Sequence, residues 1–175
     1  MEGSYLGPDF SSKEIHAMNK KVKAIYNEYH NFDYLCDFIA QKIAEGNVIG
    51  WFQGKMEFGP RSLGNRSILG DPRNPEMQKK LNLKIKYREG FRPFAPSILN
   101  EFASEFFDLN VKSPYMLLVA PIQDNLKINL PDEYQNLSLW DKLYTKRSKI
   151  QSVTHLDYSA RIQTVHKETN ERYNI

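Results

Sequence analysis

The stretch that decides the fold runs from residue 48 to residue 67 and reads Val48-Ile49-Gly50-Trp51-Phe52-Gln53-Gly54-Lys55-Met56-Glu57-Phe58-Gly59-Pro60-Arg61-Ser62-Leu63-Gly64-Asn65-Arg66-Ser67. Its first five residues are too few and too β-branched for a helix, so they predict a buried strand. The rest is rich in glycine and basic residues and has no clear period, which predicts a loop. Glycine lets a ligand approach main-chain N–H groups closely, so this loop is a candidate anion-binding site.

The segments on either side of this stretch predict two helices. Before it, a single apolar face is formed by Phe32, Leu35, Cys36, Ile39, Ala40 and Ile43. Asn31 is placed to cap this helix, and Gly46 is placed to end it. After the stretch, Asn74-Pro75 puts proline at the first position of a second helix, whose apolar line is Met77, Leu81 and Ile85.

The remaining pattern mixes strands and short helices. We predict a strand near Ser97–Leu99, a short helix around residues 102–107, a central strand at 115–122 and a last strand at 160–165. The polar residues 123–150 predict an irregular excursion. Intermixed elements of this kind indicate an α/β (α+β) sheet domain.

The polar N-terminal region differs in character from the remainder. Residues 1–30 predict a lead-in or linker segment, with Ser11-Ser12-Lys13-Glu14 as a helix start. Residues 31–175 are expected to form the domain itself.

The positive charge of the chain is concentrated around the quoted loop. Ten basic and four acidic residues lie between residues 50 and 99, a local charge of +6, whereas the whole chain carries +3 and the remainder therefore −3. Such a segment attracts anions, either phosphates of a small molecule or those of nucleic acid.

Within the loop, Arg61 follows directly after Gly59-Pro60, and its planar guanidinium suits two phosphate oxygens. A single Gly-Pro-Arg would be a surface loop with a solvated arginine. The nearby Arg66, Ser67 and Arg73 shift the balance towards anion binding. The spacings of a phosphate loop or a dinucleotide fingerprint are missing, so kinase-like and dinucleotide sites have no support.

A second basic cluster reads Lys86-Tyr87-Arg88-Glu89-Gly90-Phe91-Arg92-Pro93-Phe94-Ala95-Pro96. Lys86 and Arg88 are two residues apart and would share one face of an extended chain. Glu89 is the expected partner that holds one arginine in place. Basic residues at a helix C-terminus would explain Lys86, but not Arg92, which we predict to lie in a stretch too apolar to face solvent.

A third segment reads Thr154-His155-Leu156-Asp157-Tyr158-Ser159-Ala160-Arg161-Ile162-Gln163-Thr164-Val165. His155 and Asp157 supply two potential metal ligands, and two do not make a site. A structural or hydrogen-bonding role is therefore favoured for His155, and we predict no metal site. Arg161 lies on an apolar strand and needs a partner.

The chain has features of a soluble protein. Its longest apolar run, residues 115–122, is far shorter than the roughly 20 residues of a membrane span, so no membrane partner is expected. The N-terminus has no secretory pattern. Cys36 is the only cysteine and cannot form an internal disulfide, which favours a cytoplasmic setting.

The three segments, in this order, resemble the C-terminal domain of the carbamoyltransferases that modify nodulation factors and antibiotics, over about residues 4–175. The resemblance implies a YrdC-like fold, a twisted open mixed sheet with flanking helices. It also implies an N-terminal domain, absent here, in which iron helps transfer carbamoyl to a hydroxyl acceptor. The YrdC-like part would convert carbamoyl phosphate and ATP, with Mg²⁺, into carbamoyladenylate.

By motif, the resemblance gives catalytic roles to Lys86, Arg88 and Arg92. It gives contacts with carbamoyl phosphate and ATP to Gly59, Arg61, Gly64, Arg66, Ser67 and Arg161. Ser62 stands where the family usually has alanine. The chain ends before an Asn-Thr-Ser-Phe-Asn block of the family, so we expect a domain incomplete at its C-terminus that does not catalyse the full transfer alone.

Two alternatives remain open at this level. YrdC-like domains bind double-stranded RNA, so the basic segment is also compatible with an RNA- or nucleotide-binding module without transferase activity. Interleaving of the basic residues with glycine, proline and phenylalanine favours a pocket over an exposed nucleic-acid surface. A structural domain that supports a partner chain is the third possibility.

Overall fold

The computed structural model describes residues 3–168 and residue 170. The helices are α1 (Ser12–Val22), α2 (Phe32–Ala44), α3 (Met77–Lys80), α4 (Ala103–Phe106) and α5 (Leu139–Tyr144). The strands are β1 (Ile49–Phe52), β2 (Arg66–Leu69), β3 (Ser97–Leu99), β4 (Leu118–Pro121) and β5 (Ser159–Val165). A π-helical turn (Leu81–Ile85) continues α3, and short 3₁₀ turns occupy Asn100–Phe102, Asp124–Leu126, Asp132–Asn136 and Gln151–Val153.

A mixed sheet organises the second half of the chain. Its strand order is β3-β5-β4, with β3 parallel and β4 antiparallel to β5. The main core packs on it and contains the buried Phe107, Ile122, Ala160 and Ile162. The chain is thus an α/β protein, as predicted.

The prediction of a central strand at residues 115–122 is wrong, because β4 is an edge strand and β5 is the central one. Leu117 and Val119 are exposed, whereas β5 is buried at every position except the half-buried Arg161. An apolar run does not distinguish a central strand from an edge strand, because a strand at an edge exposes part of such a run.

The quoted stretch forms a hairpin. β1 pairs with β2 in antiparallel register, and the main-chain N–H of Gln53 donates to the carbonyl of Asn65 (3.0 Å) to close the intervening loop. The predicted strand is confirmed, but its predicted burial is wrong, because Phe52 is exposed. Two strands alone cannot cover both of their faces.

The helices largely follow the sequence pattern. Asn31 caps α2 by accepting from the main-chain N–H of Tyr34, although no residue of α2 is fully buried. The second helix begins at Met77, two residues later than Pro75 suggested, and Ile85 is exposed in its π-helical turn. The predicted short helix near residue 102 is confirmed as a 3₁₀ turn followed by α4.

The N-terminal segment contacts the loop of the hairpin. Ser11 caps α1 in a capping box with Glu14, which confirms that helix start. Ser4 is buried, and its carbonyl accepts from the N–H of Phe58 (2.6 Å). Main-chain hydrogen bonds also join residues 7 and 8 to Met56. The domain boundary at residue 31 stays a prediction, but the first residues pack against the domain.

The excursion at residues 123–150 contains α5 and two of the 3₁₀ turns, and it is held by a buried arginine. The guanidinium of Arg147 donates to the carbonyls of Lys142 and Leu143 and to that of Thr154. Among residues 3–168, no helix has both the length and the apolar character that crossing a membrane requires.

Candidate anion-binding site

The loop between β1 and β2 is built around the buried carboxylate of Glu57. Its Oε1 accepts hydrogen bonds from the main-chain N–H groups of Leu63 (2.7 Å), Asn65 (2.8 Å) and Arg66 (3.1 Å). Burial alone would raise the pKa of Glu57, but these hydrogen bonds and one from its own N–H lower it overall. An ionised Glu57 therefore fixes the path of the chain around Arg61.

The glycines of this loop adopt conformations that other residues avoid. Gly59 and Gly64 have φ of 127° and 114°, and the N–H of Gly64 donates to Oγ of Ser67 (3.0 Å). The ligand contacts predicted for these three residues stay predictions, and their observed contribution is to the shape of the turn.

Arg66 is bound to the main chain of its own loop. Its guanidinium donates to the carbonyls of Gln53 (2.6 Å), Asn65 (2.8 Å), Gly54 (3.0 Å) and Pro8 (3.3 Å). Its central carbon also lies 3.5 Å from the centre of the Phe52 ring. These contacts use much of the hydrogen-bonding capacity of the Arg66 guanidinium, which we predicted from the sequence to contact a ligand. They stabilise the loop instead.

The buried amide of Asn82 positions the second basic cluster. Asn82, which has no exposed surface, donates through Nδ2 to the carbonyls of Gly90 (3.1 Å) and Arg92 (2.8 Å). Its Oδ1 accepts from Nε of Arg88 (2.7 Å), and the Arg88 guanidinium lies 4.9 Å from the ring centre of Phe94. Arg88 is thereby held half-buried between an amide and an aromatic ring.

Two expectations for this cluster are wrong. Lys86 and Arg88 do not share the face of an extended chain, because Lys86 is helical and Tyr87 is left-handed, with φ of 47°. Arg92 faces solvent, with 52% of its side chain exposed, and its neighbours Phe91 and Pro93 are exposed as well. The expected partner is confirmed, since Nε of Arg92 lies 2.8 Å from Glu89.

Strand β5 brings the third segment against the loop. Ser159, Arg161 and Gln163 alternate along the strand and therefore share one face. Nε2 of Gln163 donates to the carbonyl of Leu63 (2.8 Å), and its Oε1 accepts from Ser97 (2.7 Å). The face that carries Arg161 therefore abuts the loop that carries Arg61.

Arg61, Arg88 and Arg161 converge at this place, and we call them the arginine cluster. Burial lowers the pKa of Arg161, and the positive charges of Arg61 and Arg88 lower it further. Nε of Arg61 and Nε of Arg161 are buried, and neither has a hydrogen-bond partner among residues 3–168 and 170. In this part of the chain no member of the cluster forms an ion pair. Half-buried guanidinium groups with unpaired donors of this kind are suited to bind an anion.

A histidine adjoins the arginine cluster. Nδ1 of His155 lies 3.0 Å from Oγ of Ser159, which donates to Oδ1 of Asp157 (2.7 Å). The pKa of His155 is lowered by burial, with a smaller lowering from Arg161 that Asp157 opposes. Its Nε2 is buried and has no partner within the described residues.

The surroundings of His155 are largely apolar. A cavity of about 440 Å³ is lined by Gln78, Phe91, Pro93, Leu143, Thr154, His155, Leu156 and Asp157. Over residues 3–168 and 170, no three His, Cys, Asp or Glu side chains are grouped so as to hold a metal ion.

The residues that sequence reasoning missed act through the main chain. Glu57, Asn82 and Gln163 hold the segments that carry the arginines. None of the three carries a positive charge that would mark it as a ligand for an anion. A signal existed for Gln163, because it lies two residues beyond Arg161 on a strand and so shares its face.

Comparison with known proteins identifies a family and several relatives. A family model described as the carbamoyltransferase C-terminus matches residues 40–175. An uncharacterised protein of Synechocystis is 54% identical over 99% of this chain, which spans 28% of that protein. Nodulation protein NolNO of Sinorhizobium fredii is 39% identical over 97% of this chain and 22% of its own length. Nodulation protein NolO of Bradyrhizobium diazoefficiens is 37% identical over 97% of this chain and 28% of its own length. The chain thus spans less than a third of each of these relatives.

Proposed function

This chain belongs to the carbamoyltransferase C-terminal family, and we propose that its arginine cluster binds carbamoyl phosphate and ATP to form carbamoyladenylate. The family supports a transferase. The observation that carries the choice of ligands is the convergence of Arg61, Arg88 and Arg161, none of which forms an ion pair in the described part of the chain.

The chemistry requires fixed positive charge. Water hydrolyses carbamoyl phosphate to carbamate and inorganic phosphate. A carbamate oxygen then forms a bond to the α-phosphorus of ATP, and the bond from that phosphorus to the departing pyrophosphate breaks. The two anions repel each other, and negative charge shifts to the departing groups as the reaction proceeds. Guanidinium groups held in place beforehand oppose both effects without reorganising during the reaction.

The positions of the side chains divide the predicted site into two sets. Arg61, Arg88 and Arg161 are assigned direct contact with phosphate groups, because they are partly buried and the charges of Arg61 and Arg88 act on Arg161. Lys86 and Arg92 are assigned to the exposed rim, where they would contact the outer phosphates of ATP. Arg66 is assigned to shaping the loop. The apolar cavity beside His155 has a size that suits a nucleoside.

The rest of the activity is assigned to regions outside this chain. Transfer of the carbamoyl group to a hydroxyl acceptor is expected to need the remainder of a longer protein, including an iron-binding N-terminal domain. Mg²⁺ would enter with ATP. We also propose that the protein is located in the cytoplasm, together with carbamoyl phosphate and ATP.

The experiment measures pyrophosphate released from ATP in the presence and absence of carbamoyl phosphate, in the full-length protein. We expect Arg61→Ala and Arg161→Ala to reduce the dependent release by about a hundredfold or more, because each removes charge that acts in the transition state. Lys86→Ala and Arg92→Ala are expected to lower it less.

The matched control is Lys84→Ala, which removes an exposed cation of the same segment and should leave the release unchanged. Pyrophosphate release that persists without carbamoyl phosphate, or that survives both arginine substitutions, would contradict the proposal. An RNA-binding module would instead show steep salt dependence of RNA affinity and no such release. The partial burial of the arginine cluster speaks against that alternative.

A further inference from the structure

His155 presents an uncommon group beside the arginine cluster, namely a buried nitrogen without a partner among the described residues. Arg161 is close enough to act on the charge of His155. The arginines satisfy the acceptors of a phosphate, because guanidinium groups only donate. Whether Nε2 of His155 donates or accepts depends on its tautomer.

The hydrogen bonds of Asp157 and Ser159 determine that tautomer. Asp157 is ionised, since hydrogen bonds from the side chain and main chain of Ser159 lower its pKa, and an ionised carboxylate only accepts. Oγ of Ser159 therefore gives its hydrogen to Oδ1 of Asp157 (2.7 Å). Nδ1 of His155, 3.0 Å away, must then donate its own hydrogen to Oγ of Ser159.

A neutral imidazole that donates from Nδ1 accepts at Nε2. Burial keeps the ring neutral at physiological pH, because it lowers the pKa of His155 more than the carboxylate of Asp157 raises it, and Arg161 adds a smaller lowering. The site thus combines three guanidinium donors with one neutral acceptor. A ligand that satisfies all of them has phosphate oxygens and, close to them, an N–H group.

We propose that Nε2 of His155 accepts a hydrogen bond from the amino group of carbamoyl phosphate and so selects carbamoyl phosphate over acyl phosphates that lack an N–H. This inference rests on the proposed function, and it assigns to one residue the recognition of the carbamoyl end. A carboxylate would also accept from the amino group, but it would repel the phosphate and neutralise the arginines. A neutral imidazole does neither.

Acetyl phosphate is the matched probe, because a methyl group replaces the amino group and the phosphate is retained. For the wild-type chain, calorimetric titration should give an affinity for carbamoyl phosphate about tenfold or more above that for acetyl phosphate, since the methyl group leaves Nε2 unpaired. In His155→Phe, this ratio should fall to about threefold or less. His155→Gln places an amide oxygen near the position of Nε2 and should retain most of the preference.

Inorganic phosphate separates the failure of this inference from the failure of the proposed function. Its affinity should change less than about threefold in both variants, because the arginine cluster is intact. If the wild-type chain binds phosphate and carbamoyl phosphate but does not prefer carbamoyl over acetyl phosphate, the inference is overturned while the anion site stands. The same holds if His155→Phe keeps the preference. If the wild-type chain binds none of the three, the proposed function fails.

A measurement on the wild-type chain keeps the test valid if His155→Phe does not fold. The ¹⁵N resonances of the His155 ring should show Nε2 as the unprotonated nitrogen. Carbamoyl phosphate should shift the Nε2 resonance in the direction of an accepted hydrogen bond, and acetyl phosphate should not. A protonated Nε2, or equal shifts with the two ligands, would overturn the inference.

Discussion

At the scale of single residues, Glu57 has the clearest influence on the proposed site, although it touches no proposed ligand. Its carboxylate gathers three main-chain N–H groups of the loop that carries Arg61. In the sequence, Glu57 is only one of four acidic residues within a basic segment. Its partners lie six to nine residues further on, and no local period reports such a contact.

The pH dependence of stability tests this role of Glu57. The pKa of Glu57 in the folded protein lies below its usual value of 4.5, so its contribution is complete above pH 4.5 and is lost as the pH falls through the lower, folded value. We expect Glu57→Gln to lower the free energy of unfolding at pH 7 by about 1–2 kcal/mol, because neutral acceptors bind amides less strongly. Urea denaturation from pH 7 to pH 3 measures it, and the difference from wild type should shrink below pH 4.5.

Glu76→Gln is the matched control, because Glu76 is exposed in the same segment and should leave stability nearly unchanged at every pH. A difference between wild type and Glu57→Gln that stays constant across the titration would show that the charge of Glu57 is not what holds the loop.

At the scale of elements, α3 and its π-helical turn serve as the support for the second basic cluster. The N–H of Lys86 donates to the carbonyl of Leu81 (2.9 Å), five residues earlier, and the turn contains Asn82. Asn82 contacts three groups of the cluster and connects the turn to Arg88.

We expect Asn82→Leu to lower the free energy of unfolding by about 2–3 kcal/mol, because it leaves the carbonyls of Gly90 and Arg92 without this donor in a buried place. It should also weaken phosphate binding several-fold, because Arg88 loses its fixed position. Urea denaturation and phosphate titration measure the two effects. Leu83→Ala, at an exposed position of the same turn, should cause neither. Full phosphate affinity in a folded Asn82→Leu protein would exclude this positioning role.

Prediction of the elements succeeded where the signal was local and failed where it was not. The capping residue Asn31, the apolar face of α2 and the presence of strand β5 depend on neighbours within a few positions. The edge position of β4 and the exposure of Arg92 depend on which other segments pack nearby, and a single apolar run does not contain that information. The same limit concealed Asn82, whose partners are on the next loop.

At the scale of the whole molecule, the proposed site is assembled from three segments that lie far apart in the chain. Sequence reasoning identified Arg61, Arg88 and Arg161 separately, from residue type and motif. Their convergence follows from contacts such as that between Gln163 and Leu63, 100 residues apart. Holding like charges together opposes folding, so the free protein should bear an energetic cost that a bound anion removes.

Thermal unfolding with and without pyrophosphate tests this cost. The wild-type chain should gain about 2.7 kcal/mol at a pyrophosphate concentration about 100 times Kd. Arg161→Met should be more stable than wild type without the anion, by about 1 kcal/mol, because an apolar side chain of similar length replaces a partly buried charge. It should lose most of the gain with pyrophosphate.

Arg73→Met provides the contrast, since Arg73 pairs with the buried Asp71 (2.8 Å) and its loss should lower stability while the response to pyrophosphate remains. If Arg161→Met destabilises the protein as Arg73→Met does, Arg161 has a structural partner. Repulsion within the arginine cluster then does not lower the stability of the free protein.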